Sequence, residues 1–329
     1  MNPTQLINSA PDADMQRVLD EFAALNPRPL EQLTPEEARL QPTPADAVKG
    51  VLAKAGRSAE PTDLVPGVTA MDRMVSGAAG PISARIYTPQ GEGPFPVVVY
   101  FHGGGWVIAD KDVYDGGARG LAQAANAIVI SADYRRAPEH KFPAAHEDAL
   151  AVYRWAAENA ASIQGDPTRL ALAGESAGGN LAVATAVAVT QNGDTAPAHV
   201  LAVYPVAQTG TTTDSYLAYA DAKPLGREGM EWFVRHATRS PEDLDDARLN
   251  LIEADFDAMP PVTIINAEID PLRDDGKMLE DALERAGVSV ERRLYPGVAH
   301  EFFGMAAVVT TAREAQQFAG KRLKSDLHE

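Results

Sequence analysis

Residues 170–180 read LALAGESAGGN, and the way this stretch folds decides the rest of the chain. Leu170-Ala171-Leu172-Ala173 is a continuous apolar run, the composition of a strand buried on both faces. It stops at Gly174-Glu175-Ser176-Ala177-Gly178, and a helical pattern begins near Asn180. Strand, G-x-S-x-G and helix in that order are the context of a nucleophile elbow. The backbone must turn sharply there, so the positions two residues either side of the serine need almost no side chain, which Gly174 and Gly178 provide. Such a turn pushes the Ser176 hydroxyl out at the C-terminal edge of a sheet, beside the positive end of the following helix. With 26 glycines in the chain, composition alone gives roughly 0.07 matches to the pattern. A tight structural turn would look the same, so the decision falls to the surrounding sequence.

Outward from that strand the same kind of run recurs. Val97 to Phe101, residues 127–135 (AIVISADYR), 199–206 (HVLAVYPV) and 261–270 (PVTIINAEID) are all continuous rather than alternating. VSVERRLYPG (288–297) and the short segment Ser83–Tyr87 add two further strands. Helical patterns run between them from Asp148 to Asn159, Asn180 to Thr190 and Asp275 to Ala286, the last ending at Gly287, a suitable helix C′ residue. Strand–helix alternation predicts an α/β chain with a mostly parallel central sheet flanked by helices on both faces.

Two regions stand outside that rhythm. The first 55 residues read as short helices. Met15, Val18, Leu19, Phe22 and Leu25 form one apolar stripe, and Thr34-Pro35-Glu36-Glu37 and Thr43-Pro44 are helix starts. Residues 207–258 separate two strands by far more than a crossover needs and carry Met230, Trp232 and Phe233. The expected organisation is therefore residues 1–55 and 207–258 as two parts of a helical cap, and residues 56–206 and 259–329 as two parts of one α/β core.

Composition narrows the chemistry. The 329 residues include no cysteine, which excludes disulfides, thiolate metal sites and a cysteine nucleophile. A formal net charge of −17 repels phosphate backbones and anionic lipid, so neither nucleic acid nor a stable membrane association is expected. LAVATAVAVT (181–190) is too short to span a bilayer and reads as a buried helix. The N-terminus has no basic and apolar secretory pattern, so a cytoplasmic location is expected.

A second motif bears on Ser176. His102-Gly103-Gly104-Gly105-Trp106 directly follows the Val97–Phe101 strand, and H-G-G-G arises by chance with a probability of only about 0.003. Consecutive glycines let backbone N–H groups approach an oxygen that becomes negative. Gly103, Gly104 and Ala177 are the candidate donors, with His102 holding the loop by hydrogen bonds. A serine nucleophile also needs a base and an orienting carboxylate, which in this context follow it in the order acid, then histidine. Of the histidines after Ser176, His199 opens a strand, His236 lies in the long insertion and His328 is at the terminus. His300 follows the last strand in YPGVAHEFF, and Asp270 ends the strand before it. Glu268, still within that strand, and Asp274 and Asp275, at the start of a helix, are the competing acids. No metal-ligand spacing is visible, and no cofactor is called for.

Together these stretches resemble the hormone-sensitive-lipase-like family of bacterial esterases, the family IV carboxylesterases, which have the α/β-hydrolase fold. The matching segments are HGGGW (102–106), DYRRAPEHKFPAAHEDA (133–149), GESAGGN (174–180), DPLRDDG (270–276) and GVAHEFF (297–303). The resemblance implies a serine esterase acting on short-to-medium acyl esters. In it Ser176 is the nucleophile, His300 the base, Asp270 the orienting acid, and Gly103, Gly104 and Ala177 the oxyanion donors. It also implies a homodimer formed near the last strand, around Val288 to Tyr295. Phe22, Trp106, Met230, Phe233 and Phe302 are candidate substrate-pocket residues, each equally suited to the core. Glu175 stands where the family more often shows aspartate, and Arg136 and Lys141 depart from it in a segment that reads as a structural turn. An amidase, lactonase or deacetylase would use the same residues, and a binding module on a hydrolase scaffold would lack one of the three.

Overall fold

The computed structural model describes residues 9–327. Eight strands form one sheet: β1 (Val68–Gly77), β2 (Gly80–Pro89), β3 (Phe95–Phe101), β4 (Ile128–Ala132), β5 (Gly165–Glu175), β6 (His199–Val203), β7 (Val262–Ile269) and β8 (Val290–Ala299). Their spatial order is β1-β2-β4-β3-β5-β6-β7-β8. From β4 onward neighbours are parallel, while β2 is antiparallel to both β1 and β4.

The continuous apolar runs have the burial they require. Val97, Val99 and Phe101 of β3 and Leu170 and Leu172 of β5 face one core. Val98, Tyr100, Ala171 and Ala173, the alternate residues, face the other. Strand side chains alternate between faces, so a strand covered on both sides must be apolar at every position. β1 carries no such run. It is an exposed edge strand paired residue for residue with β2, from Val68 opposite Pro89 to Gly77 opposite Gly80.

The α-helices are, in chain order, α1 (Ala13–Ala24), α2 (Pro35–Ala38), α3 (Pro44–Lys54), α4 (Pro61–Leu64), α5 (Asp115–Ala125), α6 (Ala144–Asn159), α7 (Ala177–Asn192), α8 (Asp214–Ala218), α9 (Arg227–Ala237), α10 (Arg273–Arg285) and α11 (Thr310–Leu327). Residues of α6, α7 and α10 fill the first core, and those of α1, α5 and α11 the second. α7 begins at Ala177, three residues earlier than the apolar pattern predicts. Its LAVATAVAVT segment is almost wholly buried. α5 and α11 were not anticipated. Among the described residues no helix is long and apolar enough to cross a membrane.

The start motifs of the N-terminal helices behave as their chemistry predicts. The Thr34 hydroxyl accepts the Glu37 N–H and the Glu37 carboxylate accepts the Thr34 N–H; Thr43 and Asp46 do the same for α3. The segment is tied to the rest of the chain at separate points. The Asp12 N–H donates to the Gly297 carbonyl at 2.8 Å, and Arg39 donates to the carbonyls of Val107 and Ala137 at 2.9 and 2.7 Å. Trp232 of α9 donates its indole N–H to the Leu33 carbonyl at 3.0 Å, so the insertion and the N-terminal segment meet directly.

Candidate active site

β5 ends at Glu175, α7 starts at Ala177, and Ser176 between them has φ 58° and ψ −119°. That left-handed conformation is costly for a residue with a Cβ and persists only where its surroundings impose it. Those surroundings leave no room for larger neighbours. A Cβ on Gly174 would lie 2.1 Å from the Gly178 carbonyl oxygen, and one on Gly178 would lie 1.9 Å from that of Phe101. The two glycines thus let strand, turn and helix close on one another.

The Ser176 hydroxyl is 3.0 Å from His300 Nε2, and His300 Nδ1 is 2.7 Å from Asp270 Oδ2. An ionised carboxylate only accepts, so Nδ1 carries the ring proton and donates it to Asp270, leaving Nε2 to accept from the serine. The other Asp270 oxygen accepts the Leu272 N–H at 2.8 Å, which fixes the carboxylate. Burial alone would lower the His300 pKa. The Asp270 carboxylate outweighs it, with Glu301 and Glu175 adding to the effect, and raises it above the ordinary 6.5.

The competing groups lie elsewhere. Glu268 accepts from Ser9 and from the Gly297 N–H. Asp274 accepts the Ser215 N–H, and Asp275 accepts the Ala207 N–H. Burial pushes the Asp275 carboxyl up to about 8. His199 is fully buried between Asp326 and Thr263, and His236 packs on Trp232. His328 lies outside the described residues.

Among the described residues His102 makes no hydrogen bond to Ser176. Its Nδ1 donates to the Gly103 carbonyl at 2.8 Å, and its ring stacks on Tyr134 at 4.3 Å. Tyr134 Oη in turn lies 2.9 Å from the His102 carbonyl oxygen and 3.3 Å from that of Gly103. The C=O and N–H of a trans peptide point in opposite directions. The N–H groups of Gly103 and Gly104 therefore both turn away from Tyr134. Ala177 is the first residue of α7, so its N–H has no partner within the helix.

A cavity of about 580 Å³ opens over Ser176 and His300. Around that pair its walls come from five separate parts of the chain: residues around Phe22, Leu30 and Arg39; Gly104, Gly105, Ile108, Val113 and Tyr114; Arg136; Leu225, Gly229 and Phe233; and Glu301. Gly103 lies behind this lining and Gly104 in it. Of the expected pocket residues, Phe22 and Phe233 line the cavity. Trp106, Met230 and Phe302 do not. Trp106 and Met230 are buried in the first core, and Phe302 is packed between Tyr204 and Tyr295, with ring centroids 5.8 and 5.7 Å away. Spacing along a chain cannot separate an aromatic wall residue from an aromatic core residue. Arg136, expected to sit in a structural turn, lines the cavity, whereas Lys141 donates to the carbonyl of Thr238, the C-cap residue of α9.

With this geometry in view, the comparisons with known proteins are specific. A family model described as alpha/beta hydrolase fold matches residues 98–304. The chain belongs to that family, in its hormone-sensitive-lipase-like branch. This hydrolase is 38% identical to the carboxylesterase NlhH of Mycobacterium tuberculosis over 292 residues, 87% of this chain and 92% of the relative. It is 32% identical to an ethyl acetate hydrolase of Pseudomonas putida over 91% of this chain and 92% of that one. Among solved structures, a hyperthermophilic esterase from the archaeon Pyrobaculum calidifontis superposes on the hydrolase with a TM-score of 0.85 at 32% identity, covering 96% of this chain and 98% of the other.

Several residues at the site were not legible in the sequence. Glu175 is fully buried and accepts from the hydroxyls of Tyr100 and Tyr204. Burial pushes its carboxyl up to about 8 against those two donors. The Tyr204 ring also lies 4.5 Å from that of His300. Tyr114 donates to Glu301 at 2.5 Å. Burial pushes the Glu301 carboxyl above its ordinary range, against the pull of His300. Adjacency to Ser176 and His300 was the only signal that Glu175 and Glu301 would matter.

Proposed function

We propose that this enzyme hydrolyses short-to-medium acyl esters through Ser176, His300 and Asp270 and an acyl-enzyme intermediate. The ester-hydrolase class follows from the family and from the named esterases among its relatives. The observation that carries the residue assignment is the unbroken line from Ser176 Oγ to Nε2 at 3.0 Å and from Nδ1 to Asp270 at 2.7 Å, at the floor of the cavity.

In this reading His300 takes the serine proton as Oγ attacks the ester carbonyl. Asp270 holds the imidazole in the tautomer that can accept it and stabilises the imidazolium that forms. The N–H groups of Gly103, Gly104 and Ala177 hold the tetrahedral oxyanion, and losing one such donor elsewhere costs on the order of 3–4 kcal/mol of barrier. The peptide orientations at Tyr134 and the open helix start at Ala177 support those three donors. His300 then protonates the leaving alcohol, and water repeats the sequence on the acyl-enzyme.

Residues 1–55 and 207–258 serve as the cap over this site, since Phe22, Leu30, Leu225 and Phe233 supply its apolar wall. A cavity of about 580 Å³ suits a small ester, and the relative named for ethyl acetate hydrolysis points the same way. The substrate is thus a small-molecule ester. The homodimer expected at the last strand is supported by Leu294, which β8 exposes at the sheet edge.

Labelling with a fluorophosphonate tests the assignment. One adduct per chain, mapped to the peptide holding Ser176 and absent from Ser176→Ala, is expected. Labelling undiminished in that variant would place the nucleophile elsewhere.

A further inference from the structure

Glu301 combines three features that the hydrolytic steps do not require. It directly follows the base, and its backbone has φ 71°, a left-handed conformation that favours glycine. Its side chain is half-buried and lines the cavity. One carboxylate oxygen accepts from Tyr114 at 2.5 Å, and the other accepts no hydrogen bond among the described residues. The Tyr114 hydroxyl itself lies against the oxyanion loop, 2.2 Å from where a Cβ on Gly103 would sit. Tyr114 thereby links the carboxylate, one residue from His300, to the loop at Gly103.

The other charged groups of the wall are engaged or exposed. Arg39 is held by Glu139 and two carbonyls, Arg136 by the Ala109 carbonyl, and Asp110 by the N–H groups of Asp112 and Val113. Arg28, Glu31, Asp221, Lys223 and Glu228 are exposed to solvent. A partly buried carboxylate with a free oxygen interacts with a bound molecule far more strongly than an exposed one does.

We propose that Glu301 sets the charge preference of the site, favouring esters that carry a cationic or hydrogen-bond-donating group beside the scissile bond and excluding esters that carry a carboxylate there. This rests on the esterase reading of Ser176. A glutamate held in a glycine-favouring conformation on the cavity wall, with one oxygen anchored and the other without a hydrogen-bond partner among the described residues, is the arrangement that selection by charge needs.

The test compares kcat/KM over a series of pH values for two matched sets of esters, and reads the spread where it is widest. Acetylcholine, its neutral isostere dimethylbutyl acetate and carboxypropyl acetate vary the alcohol. Ethyl aminobutanoate, ethyl pentanoate and monoethyl succinate vary the acyl group. On one of the two sides the wild type should favour the cationic over the anionic ester by about tenfold or more, the factor expected of one charge-assisted contact. Glu301→Gln, which keeps an acceptor for Tyr114, and Glu301→Gly, which suits the backbone, should each collapse that spread to within about threefold. The wild-type ranking stands without either variant: carboxylate esters turned over as fast as their neutral isosteres in both sets overturn the proposal. So does a spread that survives in both variants. If the neutral esters themselves are not hydrolysed, it is the esterase reading that fails.

Discussion

Glu175 immediately precedes the serine yet faces away from the cavity, clamped between two tyrosine hydroxyls in the interior. Its titration makes a clean prediction. In the unfolded chain the carboxyl ionises near 4.5, and in the folded protein burial pushes it up to about 8. Its contribution to stability is therefore complete below pH 4.5 and is lost as the pH rises toward 8. An amide has no such loss. The stability of Glu175→Gln relative to the wild type should climb across that interval, by up to ~1.4 kcal/mol per pH unit, as read from urea midpoints at a series of pH values. A difference that stays flat would mean that the carboxyl does not titrate in this way. At this scale the sequence was most informative where chemistry demands one residue type. Ser176, His300 and Asp270 could be singled out because a nucleophile, a base and an acid must fall in that order after particular strands. Glu175 and Glu301 could not, because their partners Tyr100, Tyr204 and Tyr114 come from distant strands and loops with no mark on them.

At the scale of elements, buried strands announced themselves and exposed ones did not. β3, β4 and the second half of β5 are covered on both faces and so read as nearly continuous apolar runs, whereas β1 is an edge strand whose pairing with β2 needs no apolar run. α5 (DGGARGLAQAA) is buried mainly through glycine and alanine and carries one large apolar side chain, Leu121, so its sequence lacks the bulky apolar residues that mark α1. The contact between α9 and the N-terminal segment was also hidden, since a single indole N–H to the Leu33 carbonyl joins residues 199 positions apart. Trp232→Phe should leave that carbonyl unpaired and cost ~1–3 kcal/mol, seen as a lowered thermal midpoint. Because both segments wall the cavity, KM should rise more than kcat falls. A midpoint equal to that of the wild type would show that the segments are held together without this bond.

Over the whole molecule, the site exists because remote parts of the chain converge on one end of the sheet. The sheet supplies the rigid part: Ser176 after β5, Asp270 after β7 and His300 after β8, all at the C-terminal ends of parallel strands, where such sheets place their reactive groups. With His300 as the proposed base, its acidic surroundings would set the working pH. The base must be neutral to accept the serine proton, and its pKa lies above 6.5 in the folded protein. The acid limb of kcat/KM should accordingly fall above pH 6.5, with activity lost as the pH drops through it. A profile flat down to pH 5 with chemistry rate-limiting would rule out a histidine base.

Hydrolysis by Ser176, relayed through His300 to Asp270, should show both in the acyl-chain preference and in the loss on replacing the serine. The most direct measurement is a series of p-nitrophenyl esters from acetyl to dodecanoyl, run on the wild type and on Ser176→Ala. The wild type should peak at short-to-medium chains and fall off at the longest, and the variant should lose about 10⁴-fold or more in kcat on every member. Turnover by Ser176→Ala close to that of the wild type would contradict the account.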